Sequence, residues 1–125
     1  MKHEELTEKI IECFYTVYNR LGYGFLESVY EKAMLIELKR AGLKAVRQFS
    51  VSVSYRDKNV GEFFADIIVD EKVIIELKAA RKLDKDHEYQ LINYLKATEI
   101  EVGLLLNFGR NPEFKRKVFS NNRKI

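Results

Sequence analysis

Asp66, Glu76 and Lys78 are the residues of this chain whose types and spacing could do chemistry. They interrupt Phe63–Ala79, FFADIIVDEKVIIELKA, where nearly every other position is apolar. Two runs rich in β-branched residues, Phe63–Val69 and Val73–Leu77, flank Asp70-Glu71-Lys72, and this pattern predicts a β-hairpin. With the turn centred near Glu71, residue 66 falls opposite residue 76. Side chains alternate along a strand, so Glu76 and Lys78 share a face and all three charges converge on one patch. Two carboxylates and an ammonium are costly to bury among Ile, Phe and Ala. A hard divalent cation such as Mg²⁺ offsets that cost, because it takes oxygen ligands and keeps several waters. The backbone carbonyl of Leu77 offers a further oxygen. A metal held there activates a water and polarises a phosphoryl oxygen, while Lys78 orients the water or neutralises phosphate charge. The competing reading is a structural salt bridge at a sheet end, which leaves one carboxylate unpaired.

Such a patch needs a sheet to carry it and helices to cover it. Leu6, Ile10, Phe14, Val17 and Leu21 recur at spacings of three or four and predict a helix from about Glu4 to Leu21. Gly22 and Gly24 break it. A second helix is expected from about Leu26 to Ala41, terminated by Gly42. Its apolar positions are Val29, Tyr30, Ala33, Met34 and Leu38; Glu27 lies near them, whereas Glu31, Lys32, Lys39 and Arg40 read as solvated. Phe49, Val51, Val53 and Tyr55 alternate with Gln48, Ser50, Ser52 and Ser54 as a half-buried strand. Asp57-Lys58-Asn59 makes the turn into the central hairpin. Phe14, Phe25, Phe49 and Phe108 read as core.

A helix follows from Asp84 or Asp86, either able to cap it, to Ala97, with Leu91, Ile92 and Leu95 as contacts. Val102–Phe108, VGLLLNF, reads as a buried strand reached by a right-handed parallel crossover. Pro112 suits the first turn of a closing helix with Phe114 and Val118 as its contacts. The predicted fold is α/β in the α+β sense, one domain over residues 1–125. Its mixed four-stranded sheet is flanked by helices in the order ααβββαβα.

Composition sets bounds. The chain is 46% hydrophobic and 33% charged, as expected of a soluble globular protein. No apolar run approaches the roughly 18 residues that span a bilayer. MKHEELTEKI is too polar for a signal peptide, so a cytoplasmic, reducing environment and no membrane partner are expected. A single cysteine, Cys13, excludes an intramolecular disulfide and reads as a core thiol. His3 and His87 are too far apart in sequence to suggest a histidine metal site, and His87 reads as solvated. The net charge of +3 permits nucleic-acid binding without demanding it. From Arg110 onward Arg110, Lys115, Arg116, Lys117, Arg123 and Lys124 face Glu113 alone, either a solvated tail or a phosphate-contacting arm.

The D-x9-E-x-K pattern on this order of elements resembles the PD-(D/E)xK nuclease superfamily, whose common core is helix, three strands, helix, strand. Ala65 stands where the motif's proline would be. Gly24–Tyr30, GFLESVY, fits G-x-x-E-x-x-Y. With FFADIIVD, VIIELKA, the QLINYLKAT helix and the GLLLNFG strand, the chain is similar over nearly its whole length to the GxxExxY family.

The resemblance implies a restriction-endonuclease-like core and a metal-dependent nuclease. Mg²⁺ is the implied cofactor, with Mn²⁺ as substitute, and nucleic acid the partner, DNA by superfamily prevalence. Asp66 and Glu76 become the principal metal ligands with the Leu77 backbone, Glu27 a helix carboxylate approaching the metal, and Lys78 the catalytic lysine. Gln90 and Tyr94 resemble the Q-x3-Y element of RecB-type nucleases; four apart, they share a helix face, with Gln90 positioning Lys78 or substrate. Tyr30, Tyr94 and Arg116 complete the candidates for substrate or supporting contacts. Against these roles, Glu27 also suits a helix N-terminus, and Tyr30 and Tyr94 also suit a core. Small subunits that cut two strands favour a homodimer. The alternative is a nucleic-acid-binding or protein-interaction module that keeps the fold with little or no catalysis.

Overall fold

The computed structural model describes residues 2–124. Its elements are α1 (Glu4–Leu21), α2 (Glu27–Arg40), β1 (Ala45–Tyr55), β2 (Lys58–Val69), β3 (Val73–Lys78), α3 (Lys85–Lys96), β4 (Val102–Phe108), β5 (Pro112–Val118) and a 3₁₀ turn at Asn121–Arg123. The strands form one sheet in the order β1-β2-β3-β4-β5, with β3 and β4 parallel and the other pairs antiparallel. α1 and α2 cover one face, where Ile10, Phe14, Tyr30 and Met34 pack on Ile67, Ile75, Leu77 and Leu104. On the other face Leu91 and Leu95 of α3 pack on Ala65, Ile74 and Leu105. Every residue of β4 is buried, which is why VGLLLNF shows no alternation. Among the described residues no helix is long and apolar enough to cross a membrane.

Two tight turns set the strand register. Tyr55 pairs with Lys58 across Arg56-Asp57, both at positive φ (50° and 64°), so the β1–β2 turn starts one residue earlier than its polar composition suggests. Val69 pairs with Val73 across Asp70-Glu71-Lys72, and Ile67 with Ile75, as the symmetry about Glu71 requires. Asp70 secures that turn by accepting from the Lys44 amide at 2.9 Å and donating its own to the Lys44 carbonyl at 2.8 Å. The α3 start is settled by Asp84, which accepts from the His87 amide while His87 Nδ1 accepts from the Asp84 amide, a reciprocal capping box. His87 is thus a capping residue rather than merely a solvated one.

The expected closing helix is a strand. Phe114 and Val118 are four apart, as in a helix, but Pro112, Phe114, Arg116 and Val118 also alternate with Glu113, Lys115 and Lys117. Tertiary context decides between the two periods. Without β5 the apolar β4 would leave its backbone groups unpaired along one edge; β5 pairs with it from Phe108↔Pro112 to Val102↔Val118. The sheet has five strands instead of four. Proline at the first position of an edge strand loses no ladder bond, and lysines along the edge discourage further pairing.

Tyr30 anchors the approach to α2. Its ring is fully buried and stacks on Phe108 at 4.1 Å between centroids. Its hydroxyl donates to the Gly22 carbonyl at 2.7 Å and accepts from the Phe25 amide at 3.2 Å. The tyrosine of GFLESVY therefore pins the α1–α2 loop, while Phe25, expected in the core, is 47% exposed on its rim. Tyr30→Phe keeps the stack and orphans both loop groups. It is expected to cost about 1–3 kcal/mol, measured by urea denaturation.

Candidate active site

The ladder between β2 and β3 stops at Ile67↔Ile75, one position short of Asp66 and Glu76. From there side chains replace backbone pairing. The Asp66 amide donates to Glu76 Oε2 at 2.8 Å, and the Leu77 amide donates to Asp66 Oδ2 at 2.8 Å. Alternation breaks at the same place. Ala65 packs with the α3 layer and Ile67 with the α1–α2 layer, so β2 changes faces at Asp66. β1 does likewise at Gln48, whose φ is 52°, taking Arg47 to one face and Phe49 to the other. Phe49, expected in the core, is as a result only half-buried. The two carboxylates therefore sit in a notch where β2 and β3 part, each holding the other's strand.

Desolvation is the largest influence on both. Burial raises Asp66; the Leu77 amide opposes this, Glu31 and Glu27 add to it, and Lys78 lowers it. Glu76, 5% exposed, is pushed up to about 8 by burial and by Asp66, against the Asp66 amide and Lys78. Tyr94 feels the same pair from α3: burial, then Glu76, then Asp66, push its hydroxyl up to about 12. Its ring stacks on Phe63 of β2 at 3.8 Å, which fixes it beside the notch. Lys78, two residues after Glu76 and half-buried, makes no ion pair within 4.0 Å among the described residues.

The notch offers a cation two carboxylate oxygens. Each carboxylate commits one oxygen to a backbone amide, leaving Asp66 Oδ1 and Glu76 Oε1 unbonded among the described residues. Arg116 Nε is the single fully buried side-chain polar atom without a partner among those residues, so both free oxygens retain contact with solvent. Two carboxylates with free oxygens in one largely buried notch are donors that a cation bringing its own waters would take. Leu77 offers only its backbone, since its side chain lies in the core. No group of three or more Asp, Glu, His or Cys side chains meets at metal-holding distance among the described residues. Glu27, exposed in the first turn of α2, acts on the pair through space.

The other candidates are distributed unevenly. Gln90, one turn before Tyr94 on α3, is exposed and makes no side-chain hydrogen bond among the described residues. Arg116 pairs with Leu104 on β5 and bonds to the Lys2 carbonyl, two strands away from β3. Two contributors were not foreseen. Glu31, expected in solvent, is 7% exposed and accepts from Arg47 Nε at 3.3 Å and Gln48 Nε2 at 3.0 Å, tying α2 to the β1 switch point. Its place four residues after Glu27, on the same helix face, was the available signal. Asn107, fully buried beside Lys78 in the β3–β4 register, clamps Ala80 by accepting its amide at 2.9 Å and donating to its carbonyl at 3.0 Å. A lone amide inside an otherwise apolar strand marked it.

A family model of the PD-(D/E)XK nuclease superfamily matches residues 4–117. The chain belongs to the PD-(D/E)XK nuclease superfamily. Superfamily nucleases generally use divalent metals such as Mg²⁺ and act on nucleic acid. No curated protein matches the chain. A solved structure described as "Crystal structure of SSO0001" is similar with a TM-score of 0.59 at 20% identity, over 94% of this chain and 60% of that one. At that identity the likeness shows a shared fold alone, and this chain spans 60% of that structure's length.

Proposed function

We propose that this chain is a metal-dependent nuclease that hydrolyses phosphodiester bonds in DNA, and that GFLESVY and VIIELKA mark it as a GxxExxY-type member of its superfamily. The observation that carries the reading is the largely buried pair Asp66–Glu76, each carboxylate bonded to the other strand, with Lys78 beside it. Asp66, Glu76 and the Leu77 carbonyl would hold Mg²⁺ or Mn²⁺, with Glu27 adding negative charge from α2. When bound, the cation supplies a nucleophilic water at neutral pH and polarises a phosphoryl oxygen. Lys78 orients the attacking water and balances negative charge developing on the phosphate. Tyr94 stands on the α3 side of the notch, and Gln90, one turn before it, would reach Lys78 or the substrate strand.

The test is cleavage of single-stranded, duplex and branched DNA and of RNA by the unaltered protein and by Lys78→Ala. Lys78→Ala is expected to lower the rate about 10²–10³-fold while leaving the metal-induced rise in melting temperature intact. Undiminished cutting by Lys78→Ala would assign the activity to another site or to a contaminant. Inactivity on every substrate would leave the binding-module alternative.

A further inference from the structure

A cavity of about 380 Å³ opens one residue beyond Lys78, at the shared carboxyl ends of β3 and β4. Tyr23 and Gly24 of the α1–α2 loop, Ala80 and Arg81 after β3, and Gly109 and Arg110 after β4 bring three separate connections to it. Two arginines and no acidic side chain line it. Arg81 and Arg110 are both exposed, and neither makes an ion pair within 4.0 Å among the described residues. Arg110 lies over the Tyr23 ring at 5.9 Å, which holds its guanidinium at the rim.

The walls are built rather than incidental. Asn107 clamps Ala80 from below. Gly109 approaches so closely that a Cβ there would stand 2.6 Å from the Ala80 carbonyl oxygen. The Tyr18 hydroxyl sits 2.7 Å from the Gly109 carbonyl and 2.6 Å from that of Arg110, fixing the β4–β5 turn. Glu113, three residues after Arg110, is turned inward onto the Leu83 amide and Asn107.

We propose that this cavity binds a backbone phosphate of the nucleic-acid strand adjoining the phosphate that is cut, with Arg81 and Arg110 as its ligands. Guanidinium forks suit phosphate oxygens, and both arginines line a cavity whose wall begins at Ala79, the residue after Lys78. The cavity turns a notch that acts on one phosphate into a track that sets the strand's register. This inference rests on the nuclease reading above.

The test is fluorescence anisotropy with a labelled DNA duplex in EDTA, across a salt series, so that no metal is needed. Arg81→Ala and Arg110→Ala are each expected to weaken binding about tenfold at low salt and to flatten the slope of log K against log salt by about one. Arg81→Lys should retain the slope. Arg40→Ala, at the far end of α2, should change neither quantity. Slopes unchanged in both alanine variants, or an equal loss in Arg40→Ala, would overturn this site and leave the nuclease standing. Failure of the unaltered protein to bind any duplex would also overturn this site, while the nuclease reading stands or falls on the cleavage assay with metal.

Discussion

Glu76→Gln is expected to make the metal-free protein more stable while removing its response to metal and its cleavage activity. Glutamine keeps the size of the side chain and can still accept the Asp66 amide that Glu76 Oε2 now accepts at 2.8 Å. What it removes is a charge that burial and Asp66 oppose. A carboxyl raised from 4.5 to about 8 favours the folded state only while protonated. That stabilisation is complete below about pH 4.5 and is lost as the pH rises through about 8. Melting curves in EDTA should therefore show a small gap between variant and unaltered protein at acid pH. The gap should open between pH 4.5 and 8 in favour of Glu76→Gln, then level off. Added Mg²⁺ narrows that gap, because a cation present at a hundredfold over its Kd adds about 2.7 kcal/mol to the protein that binds it and nothing to Glu76→Gln. A variant that melts below the unaltered protein at pH 9 in EDTA would mean that the Glu76 charge contributes net stability, contrary to this account.

Asn107→Leu is expected to lose about 2–4 kcal/mol in urea denaturation although it makes the interior more apolar. The substitution fills the same space but strands the amide and carbonyl of Ala80, which now bond to Asn107 at 2.9 and 3.0 Å, and releases Glu113. Ala80 lies two residues past Lys78, so the loosened loop carries the lysine with it. Cleavage should fall about tenfold or more at temperatures where the variant is fully folded. Metal binding should persist, since Asp66 and Glu76 are held by each other's strands. A variant as stable as the unaltered protein would show that Ala80 finds other partners and that Asn107 does not set the loop.

The notch could be located from the chain because its determinants are local. The symmetric apolar runs around Asp70-Glu71-Lys72 fix which residues face each other, and the observed register from Val69↔Val73 outward follows that symmetry. What could not be read were features set by the rest of the molecule. β5 carries both a helical and a strand period, and the open edge of β4 chose between them. Glu31 looked solvated because its partners, Arg47 and Gln48, come from a strand that changes faces where Gln48 takes a positive φ. The exchange of hydrogen bonds between Asp66 and Glu76 was also hidden, since alternation alone predicts an ordinary ladder there. Tyr30 was recognisable as part of GFLESVY, but its two loop hydrogen bonds emerge only when α1, α2 and β4 are packed together.

If the Asp66–Glu76 pair is a cation site, phosphodiester cleavage depends on it. The most direct measurement is the rate of cleavage of an end-labelled DNA duplex against Mg²⁺ or Mn²⁺ concentration, with unaltered protein and Glu76→Gln side by side. No cleavage is expected in EDTA, with a rate that saturates with metal for the unaltered protein and no metal-dependent rate for Glu76→Gln at any concentration. Cleavage that persists in EDTA, or that saturates equally in Glu76→Gln, would contradict it.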